Sequence, residues 1–531
     1  MCIGRCFYYE DRQMIQLRLS EENFEYDVRG LLMAFYPNEE IQKVDWYAGI
    51  LPDVEVPEGA DGWRRQLLVQ YNMVQIVMVL NCREEAAVIS EEKPTAKSAS
   101  AEVNGANKTV RTYQGAVPVD ISDRTVTKSA LKRLLYQLLS QDTGKKLPWG
   151  TLTGIRPTKI AMGLLEEGRS EADVADYMKS EYLVGEEKTG LSIDIAKREK
   201  RILQNIDYEN GYSMYIGIPF CPTTCLYCSF TSYPFGKWAK RADEYVAAVE
   251  KEIAWTAEAF KDKKLNTVYF GGGTPTTLTA EQLDRLLTCV EEHFDFSHLQ
   301  EYTVEAGRPD SITREKLEVL KKHNVGRISI NPQTMKQETL DLIGRHHTVE
   351  QIKEVFHMAR ELGFDNINMD LILGLPGETI DDVRNTMEEL KELAPDNITV
   401  HSLAIKRAAR LNIFWEKYAH MSMENSDETM AVAAAAAEEL GLKPYYLYRQ
   451  KNMAGNLENV GYAAPGKEGI YNILIMEEKQ SIVAIGAGAT TKVVYKDGRI
   501  ERAVNVKDVD LYLKQVDEMI ERKKKLFADF L

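Results

Sequence analysis

Three of the chain's seven cysteines, Cys221, Cys225 and Cys228, fall in the stretch Cys-Pro-Thr-Thr-Cys-Leu-Tyr-Cys-Ser-Phe that begins at position 221. The spacing C-x3-C-x2-C puts three thiolates on one tight loop, where they can face a common centre. Soft thiolate ligands suit an iron–sulfur cluster. A structural zinc site takes four protein ligands, and no fourth Cys or His follows at zinc-like spacing. Three ligands leave one position open, and a 4Fe-4S cluster held that way keeps one iron free for a small molecule. On these residues alone two plainer readings stay open: three ordinary buried cysteines, or a zinc loop completed by Cys289 or a histidine.

The elements that must position this loop form a regular series. The apolar run Tyr215-Ile-Gly-Ile-Pro-Phe leads into Cys221. Strand patterns recur at 214–218, 267–270, 302–305, 327–330, 366–371 and 398–402, and helical patterns at 242–260, 280–293, 313–323, 349–362 and 380–393 lie between them. Six such units in order predict a parallel sheet, too few to close an eight-stranded barrel. The expected core, residues 206–420, is an α/β fold: an open (βα)6 partial barrel.

Polar residues fall where these strands end, the edge at which parallel α/β folds place their sites. They are Gly271-Gly272-Gly273-Thr274, Glu305, Gln333, Arg345 and Asp370. Taken singly, a triple glycine is more often a tight turn, and a lone buried Asp is often a satisfied core group.

The other segments say less about function. The chain has 531 residues, 44% hydrophobic and 28% charged, enough for two to four domains. No apolar run of spanning length and no leader stand in it, and an odd number of scattered cysteines argues for a reducing cytoplasm rather than a disulfide framework. A net charge of −15 gives no basic footprint for nucleic acid or an anionic membrane. Residues 1–90 read as a small α+β domain whose opening strand starts at Met14, where we expect translation to begin; Cys2 and Cys6 are too few for a second metal site. Residues 91–115 read as a flexible linker and 116–205 as a mostly helical connection, with Leu131, Leu134, Leu135, Leu138 and Leu139 on a helix capped by Thr127. A C-terminal α+β region, 421–531, holds an Ala-rich helix and a dense aromatic and cationic run from 444 to 462. It continues with a strand into a glycine turn at 482–490, a hairpin at Asp497-Gly498 and a final helix over 509–527.

The cysteine spacing, with Tyr215-Ile-Gly-Ile-Pro-Phe-Cys221 and Cys225-Leu-Tyr-Cys228-Ser-Phe230, resembles the radical S-adenosylmethionine superfamily and, within it, the oxygen-independent coproporphyrinogen III oxidase family, nearest its HemZ branch. The resemblance implies the partial barrel, a 4Fe-4S cluster on Cys221, Cys225 and Cys228, and S-adenosylmethionine bound by Tyr215, Tyr227, Gly272, Gly273, Thr274, Glu305, Gln333, Arg345 and Asp370, with Ala404 and Thr490 matching more weakly. It implies a 5′-deoxyadenosyl radical made with one electron from a low-potential donor such as flavodoxin or ferredoxin. The implied substrate is coproporphyrinogen III, two of whose propionates become vinyls. Its acidic arms need cations, for which Arg156, Lys406, Arg407, Arg410, Arg449 and Lys451 are the candidates. Two departures stand out: Gly217 replaces a usual histidine, and Phe230 replaces the fourth cysteine of the best-established dehydrogenases, as in haem-chaperone relatives. Another radical reaction on a tetrapyrrole, or haem carriage without turnover, therefore remain as alternatives.

Overall fold

The computed structural model describes residues 14–37, 39–45, 63–83, 110–120, 122–154, 156–230, 232–449 and 457–528. Cys2, Cys6, Lys451 and most of the expected linker lie outside them. The chain divides into two compact units, residues 1–153 with 175–189, and residues 154–174 with 190–531.

The first unit carries a five-stranded sheet, ordered β2-β1-β3-β4-β5. Its strands are β1 (Met14–Leu19), β2 (Glu40–Lys43), β3 (Trp63–Tyr71), β4 (Gln75–Arg83) and β5 (Val110–Pro118). β1 runs parallel to both neighbours, and β3 to β5 form an antiparallel meander. The leucines of the helix Arg124–Thr143 join the strands in one core. Two expectations are corrected here. The helix is capped by Asp123, whose carboxylate accepts the Thr125 and Val126 amides, while the Thr127 hydroxyl turns back to donate to the Asp120 carbonyl. The end of the supposed linker is β5, paired with β4 along its length; Tyr113 and Val117 are its inward apolar contacts, too thin a pattern to show in sequence.

The second unit is organised by an eleven-stranded sheet. Its six central strands run parallel in chain order: β6 (Gly211–Ile218), β9 (Lys264–Gly272), β10 (Glu301–Gly307), β11 (Arg327–Ile330), β12 (Ile367–Leu373) and β13 (Asn397–Ser402). A two-residue pair, β7 (Phe220–Cys221) and β8 (Tyr233–Pro234), brackets the cysteine loop. The intervening helices begin at defined caps. Thr279 with Gln282 and Thr348 with Gln351 form reciprocal capping boxes, and Leu283, Leu286, Leu287 and Val290 bury one face of Ala280–His293.

The boundaries drawn after residue 115 and at 421 do not survive. The helix Arg124–Thr143 belongs to the first unit, whereas Thr158–Glu166 belongs to the second. An open barrel leaves two strand edges whose backbone groups need partners, and the C-terminal segments supply them. On one side β15 (Asn459–Ala463) pairs antiparallel with β13 and carries β14 (Lys443–Tyr448) outside it. On the other, β16 (Ser481–Ile485) lies parallel to β6 and is followed by antiparallel β17 (Thr490–Val494) and β18 (Ile500–Val504). The last helix is two, Val509–Lys514 and Val516–Phe527, broken at Gln515. Among the described residues no helix is long and apolar enough to cross a membrane.

Candidate active site

The cysteine loop leaves the end of β6 and is tied down by backbone bonds that its own residues need. Leu226 N–H donates to the Ile343 carbonyl at 2.9 Å, Leu411 N–H donates to the Leu226 carbonyl at 2.8 Å, and the Thr223 hydroxyl donates to the Gly344 carbonyl at 2.8 Å. Leu226 packs with Ile343, Leu375 and Leu411, so an apolar anchor sits between the second and third cysteines. None of the three thiols is in a disulfide. Two receive donors at 3.6 Å: Thr274 Oγ1 on Cys221 and Arg308 Nη1 on Cys225.

Burial pushes the Cys221 thiol up to about 11, with the neighbouring cysteine charges adding to the rise and the Arg308 charge opposing it. Cys289 contacts His293 on its own helix, and among the described residues no three Cys, His, Asp or Glu side chains close on one point. A cluster takes one thiolate per iron, and the donor set fits it.

The glycine turn continues β9. Gly273 and Thr274 spend their amides on the Ile218 and Phe220 carbonyls, each at 2.7 Å. A Cβ on Gly273 would lie 2.5 Å from the Phe220 carbonyl oxygen, so this close approach requires glycine. An ammonium ligand is a donor and needs carbonyl oxygen from such a turn, which amides spent on a neighbouring strand leave to it. Beside the turn, Tyr215, Tyr269 and Tyr471 stack as a set, and the Tyr269 hydroxyl donates to Glu305 at 2.6 Å.

Glu305 is pushed up to about 7, first by burial and also by the Asp370 charge, against the Tyr269 bond. Asp370 goes the other way. Burial raises it, but the His401 and Asn368 side chains more than offset that and hold it below the usual range. Gln333 adopts φ 70°, bonds Asp370 through backbone and leaves its buried Oε1 without a hydrogen-bond partner. Arg345 donates to the Tyr227 hydroxyl at 3.1 Å and the Asn331 carbonyl at 2.6 Å, and its Nε is likewise buried without an acceptor. These orphaned atoms are what a bound polar ligand would complete.

The weaker candidates lie at the edges of this group. Ala404 is two residues past β13. Thr490 opens β17 and is exposed, following the Gly486 turn, whose backbone approaches so near that a Cβ there would sit 2.4 Å from the Gly217 carbonyl oxygen.

A family model described as the radical SAM superfamily matches residues 215–390. Over 401 residues the chain is 44% identical to the oxygen-independent coproporphyrinogen-III oxidase-like protein HemZ of Bacillus subtilis (strain 168), covering 75% of this chain and 80% of that protein. The chain belongs to the radical SAM superfamily, in its HemZ-like branch. It is also 32% identical over 309 residues to the heme chaperone HemW of the same organism, covering 58% of this chain and 76% of that one. Among solved structures, the radical SAM enzyme coproporphyrinogen III oxidase (HemN) of Escherichia coli aligns at 24% identity and TM-score 0.48, over 60% of this chain and 73% of that one. Radical SAM proteins use a 4Fe-4S cluster and S-adenosylmethionine.

Within this radical SAM barrel the candidate cations separate. Arg156 is engaged by Glu478 at 2.6 Å and the Met476 carbonyl, and Arg449 is buried beside the Glu458 charge, so neither is offered to a substrate as a free group. Arg407 and Arg410 are exposed, Lys406 partly so, and Arg410 reaches the Thr224 carbonyl in the cysteine loop at 3.3 Å. Sequence reasoning missed Arg308, His401 and the two tyrosines, Tyr269 and Tyr471, that stack on Tyr215. Arg308 stands in the Glu305-Ala-Gly-Arg string and was visible as a charge three residues past a strand-end carboxylate; nothing in sequence aimed it at a sulfur.

Proposed function

We propose that this radical SAM protein oxidatively decarboxylates propionate side chains of coproporphyrinogen III, giving vinyls and, after two rounds, protoporphyrinogen IX. The observation that carries the radical chemistry is the barrel mouth itself: three thiols outside any disulfide, each with a donor aimed at it, beside polar atoms left without partners. Bound there, the cluster and S-adenosylmethionine supply hydrogen-atom abstraction from an unactivated carbon. Cys221, Cys225 and Cys228 hold the cluster. The glycine turn would take the methionyl ammonium on carbonyls, Glu305, Gln333 and Asp370 would accept from or orient the sugar, and Arg345 holds the Tyr227 hydroxyl in place. The tyrosine stack covers one wall and excludes water.

The substrate class is supported by likeness to HemZ and HemW, an oxidase-like protein and a chaperone whose names both concern tetrapyrroles. A flat ring with acidic arms also suits the exposed Ile413, Phe414 and Trp415 beside Arg407 and Arg410. Each round removes one hydrogen atom from a propionate β-carbon, one further electron to an acceptor, and carbon dioxide. The electron that starts each round comes from a low-potential carrier of the flavodoxin or ferredoxin kind, and a reducing cytoplasm suits such a site.

The test is anaerobic incubation of iron-reconstituted protein with coproporphyrinogen III, S-adenosylmethionine and a low-potential reductant, followed by chromatography. Protoporphyrinogen formed together with 5′-deoxyadenosine is the expected result. 5′-Deoxyadenosine without change in the porphyrinogen would keep the radical chemistry and overturn the substrate. Tight haem binding with neither product would favour the reading drawn from HemW and from Phe230.

A further inference from the structure

Cys225 differs from Cys221 in what faces its sulfur. Cys221 receives a neutral hydroxyl from Thr274, whereas Cys225 receives the guanidinium of Arg308, each at 3.6 Å. Arg308 sits just past β10 and is 4% exposed. It is held at both ends. Its Nε and Nη2 meet the two Asp310 carboxylate oxygens at 2.9 and 2.6 Å, and the Nη1 that faces the sulfur also donates to the Thr223 hydroxyl at 2.7 Å. Thr223 lies between the first two cysteines, so the same group braces the loop and charges it.

A bidentate carboxylate fixes a guanidinium in plane and direction. The positive charge is thus aimed by Asp310 rather than left to find its own orientation. Where dielectric is low, one fixed charge beside a thiolate weighs heavily, because reduction adds an electron to whatever the thiolate ligates.

We propose that Arg308 sets the reduction potential of the iron–sulfur cluster through the Cys225 sulfur, raising it, and that Asp310 limits that rise by offsetting part of the charge. Arg308 is a positioning residue in this role: it acts through a ligand and touches no substrate. The inference rests on the reading that Cys221, Cys225 and Cys228 hold a cluster.

The test uses full-length protein reconstituted anaerobically with iron and sulfide, as wild type, Arg308→Gln, Arg308→Lys and Asp310→Asn. Each is assayed for iron and sulfide, then titrated with dithionite against redox mediators without S-adenosylmethionine, following visible absorbance and electron paramagnetic resonance. At the wild-type midpoint the reduced-to-oxidised ratio should fall about tenfold or more in Arg308→Gln, about 59 mV for one electron. It should fall less in Arg308→Lys, which keeps a charge without the fork. It should rise in Asp310→Asn, and this opposite sign is what a purely structural brace would not produce. An unshifted midpoint in a fully loaded Arg308→Gln, or shifts of one sign in both variants, would overturn the proposal. If Arg308→Gln takes up no cluster, an unshifted or lowered Asp310→Asn overturns it. Wild type that takes up no cluster would instead overturn the cluster reading on which it stands.

Discussion

Two buried polar groupings in the barrel unit use the same kinds of side chain and end in opposite states. Around Glu252 every demand is met. The carboxylate, with no exposure, accepts from Lys523 at 2.5 Å, Tyr512 at 2.6 Å, the Gly486 amide at 2.8 Å and Asn505 at 3.0 Å, and Asn505 also donates to the Gly486 carbonyl. At the mouth, Gln333 Oε1 and Arg345 Nε are buried with no partner among the described residues. A buried polar atom left unpaired costs about 1–3 kcal/mol. A grouping that pairs all its atoms is explained by the fold alone, whereas one that leaves atoms unpaired has places where a polar ligand could bond. The first braces the turn that follows β16; the second is where the proposed function puts S-adenosylmethionine.

The largest effect expected belongs to the mouth. Cys225→Ala should lose all visible iron–sulfur absorbance and all cleavage of S-adenosylmethionine, read by spectroscopy and by chromatography of 5′-deoxyadenosine. Cleavage persisting in that variant would remove the cluster from the second grouping and leave its unpaired atoms unexplained.

Next comes the complete grouping. Lys523→Met strands the Glu252 carboxylate without its ion-pair partner, and breaking a buried pair from one side costs about 3–5 kcal/mol. Urea unfolding of the metal-free protein should show that loss, and adding Glu252→Gln should restore part of it. A loss below about 1 kcal/mol would mean that the network is not a structural brace.

Gln333→Leu sharpens the contrast because its two readouts should move oppositely. Removing an orphaned acceptor should leave the ligand-free protein as stable as before or up to about 1 kcal/mol more so, while S-adenosylmethionine binds the loaded protein about tenfold more weakly, near 1.4 kcal/mol. A variant that loses stability and keeps its affinity would show that Gln333 serves the fold rather than a ligand.

How much of this was legible in sequence follows from the range of the forces involved. The six central strands and their helices were, because each repeats one pattern locally: the range 327–330 for β11 and 280–293 for the helix after β9 match the structure to the residue. The strand at β16 was legible from residue 482, but its pairing and that of β15 were not, since strand pairing across the open edges is set by which edge needs partners, and that is a property of the assembled sheet. At the site, the cysteines announced themselves by type and spacing. Arg308 did not, because its role depends on a 3.6 Å approach between residues 83 positions apart. Arg156 misled for the converse reason: a cation in a glycine-rich string looks available until Glu478 is seen to take it.

Glu305 gives the finest test of the contrast between the two groupings. Its carboxyl has two donors at the mouth, the Tyr269 hydroxyl and the Gly272 backbone, where Glu252 has four groups donating to it, and burial pushes it up to about 7 from an ordinary 4.5. Between those values the folded protein keeps a proton that the unfolded chain has lost. The stability contributed by this group is therefore fully present below about 4.5 and is lost as pH rises through about 7. The amide of a Glu305→Gln variant has no such proton to lose. The difference in thermal midpoint, Glu305→Gln minus wild type, should grow as pH is raised from about 5 to 8, a change set by the linkage of one proton. In protein loaded with cluster, saturating S-adenosylmethionine should flatten this dependence, because ribose hydroxyls donate to the ionised form and lower its cost. A midpoint difference that is flat without ligand would show Glu305 to be as well satisfied as Glu252, and would move it from the incomplete grouping to the complete one.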